Sequence, residues 1–221
     1  MKEKIVVSFS GGKDCALAMN RLLKEGKWEI DSLLTTVTDT FNRTSMHGVR
    51  EEFLEKQADS LGVKLRKVRI PSHCSNEIYQ QKMAEAVTQI KEDGIRYVMF
   101  GDIHLEDVKE YRKKMLEGTG LTPIFPIWGE KPNDLIREYL AEGFRTRLTC
   151  VDSEQLDPAF VGREIDQIFI DDYPPNADIC GENGEYHTFV FDGPIFSFPI
   201  WHTLGEQRIA DNRFYYIDIV D

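Results

Sequence analysis

A short run of glycine, lysine and aspartate follows the first apolar segment of the chain. Ile5-Val6-Val7-Ser8-Phe9 is predicted to be a strand and Cys15 to Lys24 a helix, so Ser10-Gly11-Gly12-Lys13-Asp14 connects the two. Adjacent glycines let backbone N–H groups approach an anion closely, and the helix N-terminus adds the positive end of its dipole. Because Lys13 adds a full positive charge, this connection is predicted to bind phosphate, with a plain structural turn as the alternative.

The order of residues in this loop indicates which kind of phosphate site it is. A Walker loop carries Gly-Lys followed directly by Ser or Thr, whereas Lys13 is followed here by Asp14. The six residues from Ser10 to Cys15 instead resemble the S-G-G-x-D-S signature of PP-loop ATP pyrophosphatases. In that family the loop holds the leaving pyrophosphate, so the resemblance implies transfer of AMP to a substrate.

Cys15 departs from this signature, because the family usually has serine at its position. A thiol at the start of a helix and beside Lys13 is expected to have a lowered pKa and to react with alkylating agents. A thiol is also a weak hydrogen-bond donor, so backbone N–H groups would have to replace the contact that a serine hydroxyl makes to phosphate.

Further blocks, spread over nearly the whole chain, resemble one branch of these enzymes, the diphthine–ammonia ligase-like proteins. This branch is related to archaeal and eukaryotic enzymes that finish diphthamide on elongation factor 2. The blocks are Met46-His47, Gly101-Asp102-Ile103, Gly120-Leu121 with Pro126-Ile127-Trp128, Gly162 to Asp166, and Cys180 to Thr188 with Asp192-Gly193-Pro194. The resemblance implies an ATP- and Mg²⁺-dependent ligase that joins ammonia to a carboxylate through an acyl-adenylate. The carboxylate would be diphthine on elongation factor 2 or that of an unknown small molecule.

Several residues outside the loop are expected at the site. Gly101-Asp102 is predicted to end a strand at the same sheet edge as the loop, so Asp102 is expected to bind Mg²⁺ or orient pyrophosphate, with a helix cap as the alternative. Thr36, near the end of the second strand, is expected beside the adenine. His47 is expected to contact the nucleotide because it belongs to one of the family blocks.

The segment from Gly181 to Glu185 is predicted to be a turn that aims two carboxylates, Glu182 and Glu185, at one place. We expect them to serve the acceptor or ammonia rather than ATP, since carboxylates repel a triphosphate unless a metal intervenes. A solvated acidic hairpin tip is the alternative. The predicted catalytic residues are Lys13, Asp14, Asp102, Glu182 and Glu185, and the predicted nucleotide-binding residues are Ser10, Gly11, Gly12, Lys13, Asp14, Cys15, Thr36, His47 and Gly101.

Arginines are further candidates, because guanidinium pairs with phosphate and carboxylate through two parallel hydrogen bonds. Arg163 is favoured since it lies in a family block. The full set of candidates is Arg43, Arg112, Arg145, Arg147 and Arg163.

The pattern of apolar runs predicts an α/β fold, a Rossmann-like (HUP-type) doubly wound parallel sheet with a smaller C-terminal α+β domain. Residues 1–128 are expected to form the ATP-binding domain and 129–221 the substrate-binding domain. Strands are predicted at 5–9, 32–37, 63–70, 96–100 and 121–127 in the first domain. In the second we expect a helix at 135–140, strands at 144–151, 186–191, 195–198 and 214–219, and turns at Gly193-Pro194 and Asp211-Asn212.

The bulk composition narrows the class of protein. The chain has 221 residues, a net charge of −11, four widely spaced cysteines and no long apolar run. With no signal-peptide pattern after Met1, we expect a cytoplasmic protein with no membrane partner. Its negative charge disfavours nucleic acid as a partner. A homodimer stays open, as do two other functions: a non-catalytic ATP-binding sensor and a PP-loop enzyme that transfers sulfur to tRNA.

Overall fold

The computed structural model describes residues 2–39, 43–44, 48–71 and 74–221. In the first half, strands alternate with helices. The elements are β1 (Glu3–Ser8), α1 (Lys13–Glu25), β2 (Trp28–Thr38), β3 (Arg43–Thr44), α2 (Glu51–Leu61), β4 (Lys64–Ile70), α3 (Asn76–Glu92), β5 (Tyr97–Met99), α4 (Glu106–Leu116) and β6 (Thr122–Ile124). The second half contains α5 (Pro132–Ala141), β7 (Arg145–Asp152), a short 3₁₀ helix (Pro158–Phe160), α6 (Gln167–Asp172), β8 (Tyr186–Asp192), β9 (Thr203–Ala210) and β10 (Phe214–Val220).

The first sheet has the parallel order β4-β2-β1-β5-β6, and the short β3 pairs antiparallel with β2. The chain moves outward from β1 to β4 and then returns to the other side of β1 for β5 and β6. The strand order therefore reverses between β1 and β5, and ligands of open α/β sheets bind at the carboxyl ends of the strands beside such a reversal. The predicted doubly wound α/β class is confirmed.

Local sequence explains why the loop after β1 is well positioned. Ile5, Val6 and Val7 are fully buried, as expected for the central strand of a sheet covered on both faces. Helix α1 ends at Gly26 and α2 at Gly62, both in the left-handed conformation that glycine adopts without strain. At each of these glycines the helix stops, and the chain continues into the next strand of the sheet, β2 after α1 and β4 after α2.

The second sheet is antiparallel, with the order β8-β7-β10-β9. Asp211 and Asn212 both have positive φ, 53° and 50°, and form the predicted tight turn between β9 and β10. The predicted strand at 195–198 is wrong: those residues form turns and bends after Gly193-Pro194. The strand in this region is β9, which the sequence pattern missed because its residues are mostly exposed at the sheet edge and do not alternate.

The two halves share one buried core. A single cluster contains Val7 and Leu17 from the first half together with Tyr139, Leu148 and Val190 from the second. The domain boundary expected at residue 128 stays a prediction. Within the described parts of the chain, no helix is long and apolar enough to cross a membrane.

Candidate active site

The loop between β1 and α1 is held in place from both halves of the molecule. The carbonyl of Gly11 accepts a hydrogen bond from Val190 N of β8 at 2.9 Å and from Gln57 Nε2 of α2 at 3.0 Å. Gln57 also donates to Val190 O at 2.6 Å. Gly11 has φ of +81°, and a Cβ there would lie 2.7 Å from Gln57 Oε1, so only glycine fits. The loop conformation is therefore fixed before any ligand arrives.

Two loop N–H groups are already bonded within the protein. Gly12 N donates to Ser10 Oγ at 3.3 Å, and Lys13 N donates to Thr188 Oγ1 of β8 at 3.1 Å. The N–H groups of Asp14 and Cys15, in the first turn of α1, donate to no acceptor among the described residues. They lie at the positive end of the helix dipole, so they are available to an anion.

Lys13 is a buried cation with a partner. Only 3% of the residue is exposed, and its Nζ lies 2.6 Å from Asp14 Oδ1 and 5.4 Å from the centre of the Tyr186 ring. Burial works to lower the pKa of the Lys13 ammonium, but the nearby Asp14 carboxylate, Cys180 and Glu182 outweigh burial and raise it. Lys13 therefore stays charged at neutral pH.

The residues after β5 form the facing wall. A Cβ on Gly101 would lie 2.9 Å from the backbone of both Asp14 and Cys15, so glycine allows β5 to approach the loop this closely. Asp102 follows, with Oδ2 3.6 Å from Arg112 Nε of α4. Burial raises the pKa of Asp102, and the Arg112 charge opposes that shift. Asp102 Oδ2 and Arg112 Nε are both buried without a hydrogen-bond partner among the described residues.

Glu182 reaches this wall from the second half of the chain. Its Oε1 accepts a hydrogen bond from Ile103 N at 2.8 Å. Burial raises the pKa of Glu182 to about 7; Asp14 and Asp102 also raise it, whereas the bond from Ile103 N and the charge of Lys13 lower it. The side chain can therefore change its protonation state near neutral pH, as a general acid or base must.

These walls enclose a pocket of about 580 Å³ at the carboxyl ends of β1 and β5. Its charged lining consists of Lys13, Asp14, Asp102, Arg112 and Glu182. No group of three or more His, Cys, Asp or Glu side chains in the described part of the chain could hold a metal ion on its own. The pocket combines free N–H groups, two cations and a titratable carboxylate at the strand-order reversal, an arrangement suited to group transfer from a polyphosphate.

Comparisons with known proteins agree with this reading of the fold. Residues 3–123 match the model of the diphthamide synthase N-terminal domain, and residues 131–219 match that of the diphthamide synthase C-terminal domain. The chain belongs to the diphthamide synthase family. The resemblance first indicated by the sequence blocks is thereby confirmed.

Curated relatives in this family are distant. A diphthine–ammonia ligase of Rattus norvegicus is 26% identical over 217 residues, covering 87% of this chain and 80% of the relative. The Homo sapiens diphthine–ammonia ligase is 23% identical with the same coverage. A solved Methanocaldococcus jannaschii protein, described as a predicted subunit of tRNA methyltransferase, is 18% identical. The match covers 85% of this chain and 96% of that one, with a TM-score of 0.41, too low to bear on function.

Most of the site residues predicted for this diphthamide synthase family member lie together. The pocket is lined by Ser10, Lys13, Asp14, Cys15, Gly101, Asp102 and Glu182. Gly11 and Gly12 shape the loop behind it. Glu182 was expected to serve the acceptor or ammonia rather than ATP, and that role stays a prediction. Its Oε1 accepts from Ile103 N, so it lines the same pocket as the loop between β1 and α1.

Other predicted residues lie elsewhere. Glu185 does not line the pocket: it is 2% exposed, and its Oε1 accepts from Asp178 N at 3.0 Å and Asn183 Nδ2 at 3.1 Å, which organises the turn. Thr36 lies within β2 and outside the pocket lining. His47 lies outside the described residues. Arg163 pairs with Asp172 at 2.8 Å, away from the pocket.

The lowered pKa expected for Cys15 is wrong, whereas its reactivity toward alkylating agents stays a prediction. The residue is 5% exposed, its Sγ donates to Gly12 O at 3.0 Å, and burial raises the pKa of the thiol despite hydrogen bonds that lower it.

Sequence reasoning missed two residues that hold the loop, Thr188 and Gln57. Thr188 ends the family block that begins at Cys180, but no contact to the loop is predicted for it from the sequence. Gln57 is fully buried on the apolar face of α2, between Phe53 and Ala58. A glutamine at a core-facing helical position was the signal that could have found it, because a buried amide requires polar partners.

Proposed function

We propose that the protein is a cytoplasmic ligase that uses ATP to convert a carboxylate to an amide, releasing AMP and pyrophosphate. The observation that carries the proposal is the pocket itself, in which Lys13 and the free N–H groups of Asp14 and Cys15 face Asp102 and Glu182. The family membership and the names of the relatives support ammonia and diphthine as substrates. ATP, and elongation factor 2 as the carrier of diphthine, are part of the proposal.

In the first step an acceptor carboxylate attacks the α-phosphorus of ATP and forms an acyl-adenylate while pyrophosphate leaves. The negative charge that develops on the leaving group is stabilised by Lys13 and by the N–H groups at the start of α1. Because the loop is held by Gln57, Val190 and Thr188, these donors need no reorganisation during the reaction. Preorganised donors of this kind contribute about 3 to 4 kcal/mol each to lowering a barrier.

Mg²⁺ fits the donors on the facing wall. Asp102 Oδ2 has no hydrogen-bond partner among the described residues, and Mg²⁺ in nucleotide sites is held by one or two carboxylates together with phosphate oxygens. Asp102 would hold the ion, with Asp14 across the pocket as a second carboxylate. When bound, the ion would neutralise phosphate charge and so offset the repulsion between ATP and the acidic lining.

Glu182 is assigned to the second step. As ammonia attacks the acyl carbon, a nitrogen proton passes to the Glu182 carboxylate, the C–O bond to AMP breaks and the amide forms. With a pKa of about 7, Glu182 is partly ionised at neutral pH and can accept that proton. Cys15 and Cys180 suit the sulfur-transfer alternative poorly, because burial raises the pKa of both thiols, that of Cys180 to about 12.

The proposal is tested by amide formation. The protein is incubated with ATP, Mg²⁺, an ammonium salt and elongation factor 2 that carries diphthine, and the acceptor is analysed by mass spectrometry. We expect ATP-dependent replacement of the carboxylate hydroxyl by NH₂, with the rate of Glu182→Gln reduced about 10²- to 10⁴-fold. An acceptor that is adenylated but never amidated would show that ammonia is not the second substrate. An acceptor that is not modified at all would show that diphthine is not the acceptor.

A further inference from the structure

Arg112 is a poorly satisfied cation in the pocket wall. Its Nε lies 3.6 Å from Asp102 Oδ2, and neither atom has a hydrogen-bond partner among the described residues. The other arginine candidates with described side chains are committed elsewhere. Arg163 pairs with Asp172 at 2.8 Å, and Arg145 pairs with Glu164 at 2.8 Å. A guanidinium has five N–H donors, so one that is three-quarters buried with a single loose ion pair is suited to another anion.

The position of this guanidinium is set by its neighbours. Arg112 lies on α4, the helix after β5, and its Cζ is 5.2 Å from the centre of the Phe100 ring. Phe100 precedes Gly101, which packs directly against the backbone of Asp14 and Cys15. The ring thus supports the guanidinium on the wall that faces the phosphate loop.

The charges that line the pocket indicate that a polyphosphate would need a second cation besides Lys13. Lys13 is neutralised in large part by Asp14, whose Oδ1 lies 2.6 Å away. Asp102 and Glu182 add further negative charge. A polyphosphate at the loop therefore needs positive charge beyond Lys13, and Arg112 is the second cation among the described lining residues.

We propose that Arg112 binds the β- and γ-phosphate oxygens of ATP and retains the pyrophosphate after cleavage, and that the ligand displaces the Asp102 carboxylate with which the guanidinium pairs loosely in its absence. A guanidinium donates two parallel hydrogen bonds to phosphate, which its loose contact with Asp102 does not provide. This inference rests on the proposed function, because it assigns a role in binding the pyrophosphate group that the reaction releases.

The test is calorimetry with inorganic pyrophosphate, ATP and AMP in the absence of metal ions. Arg112→Gln should bind pyrophosphate and ATP about tenfold or more weakly, whereas AMP, which lacks the β- and γ-phosphates, should bind unchanged. Arg112→Lys keeps the charge but loses the paired donors and should lie between Arg112→Gln and the wild type. Arg163→Gln is the matched control and should bind all three ligands like the wild type.

The Asp102→Asn variant provides a second test, because a purely structural role of Arg112 would not predict tighter pyrophosphate binding in it. Removing the competing carboxylate should tighten metal-free pyrophosphate binding, because Arg112 then has no other anion. Thermal unfolding of each variant checks that it is folded. If Arg112→Gln does not fold, the affinity of Arg112→Lys for pyrophosphate is compared with that of the wild type instead.

Unchanged pyrophosphate affinity in a folded Arg112 variant would overturn the inference and leave the proposed function standing. Equal loss of AMP affinity would also overturn it, since the residue would then act on the nucleoside part. A wild-type protein that binds neither ATP nor pyrophosphate would overturn both proposals.

Discussion

Glu182 shows how tertiary contacts change the chemistry of a single residue. On an exposed turn it would be an ordinary carboxylate, but packing against Ile103 removes water from it and places it near Asp14 and Asp102, which raises its pKa from 4.5 to about 7. Glu185, three residues later, accepts hydrogen bonds from Asp178 N and Asn183 Nδ2, which lie in or beside the same turn. Two carboxylates that look equivalent in sequence therefore have different surroundings in the folded protein.

The raised pKa of Glu182 predicts a pH dependence of stability. Between pH 4.5 and about 7 the folded protein keeps a proton on Glu182 that the unfolded chain has released, so the free energy of unfolding falls as pH rises through this window. Glu182→Gln cannot titrate and should lose less stability over the same range. Chemical denaturation at several pH values measures the difference.

The exposed carboxylate Glu92 supplies the control for this experiment. Glu92→Gln should follow the wild-type pH profile. If Glu182→Gln does so as well, Glu182 is ionised in the folded protein throughout the range, and its role as a base poised at neutral pH is lost.

At the residue scale, the sequence predicted those site residues that belong to contiguous motifs. Lys13, Asp102 and Glu182 each follow or precede a glycine in a recognisable block. Arg112 could be named only as one of five candidates, because its place in the pocket depends on how α4 packs beside β5. That is a tertiary relation with no local signal.

At the level of elements, the end of β5 packs tightly against the start of α1. Gly101 makes this contact possible, since a Cβ would lie 2.9 Å from Asp14 C and Cys15 N. These are backbone atoms, which cannot rotate away from an added Cβ as a flexible side chain can. The phosphate loop is therefore positioned by β5 on one side and by β8 on the other.

We predict that Gly101→Ala displaces the loop. Overpacking of this kind costs about 1–3 kcal/mol of stability, and ATP affinity should fall further because the N–H groups of Asp14 and Cys15 move. Differential scanning fluorimetry and ATP titration measure the two effects.

Gly26→Ala separates loss of stability from loss of binding. Gly26 has φ of +73° and open space around its Cα, so alanine there strains the end of α1 by about 1–2 kcal/mol without touching the loop. ATP affinity should be retained in this variant. If Gly101→Ala binds ATP as well as Gly26→Ala does, the contact between β5 and the loop does not position the phosphate site.

The elements themselves were predicted where the hydrophobic pattern reports burial. All five parallel strands appear near their predicted positions. The signal is clearest in the central strand β1, where Ile5, Val6 and Val7 form a continuous, fully buried apolar run. Strand β9 has no such pattern, since its exposed edge position leaves polar and apolar residues mixed. The apolar residues at 195–198 follow Gly193-Pro194 and pack as a turn, which periodicity alone cannot distinguish from a short strand.

At the level of the whole molecule, the second half completes the pocket around the loop between β1 and α1. Thr188 and Val190 of β8 bond directly to the loop, and Glu182 reaches the wall formed after β5. Sequence reasoning assigned the two halves separate ligands because it could not see this packing. One pocket is therefore lined by residues of both halves, so the proposed reaction would bring ATP and the acceptor together in a single site.

The proposed reaction cleaves ATP between its α and β phosphates, and analysis of the products distinguishes this cleavage from transfer of the γ-phosphate. The protein is incubated with γ-labelled ATP, Mg²⁺, ammonium and diphthine-bearing elongation factor 2, and the nucleotide and labelled products are separated by chromatography. We predict equal amounts of AMP and labelled pyrophosphate, and loss of both in Lys13→Ala, which lacks the buried cation of the loop. ADP with labelled phosphate as the products of the wild-type protein would contradict the account.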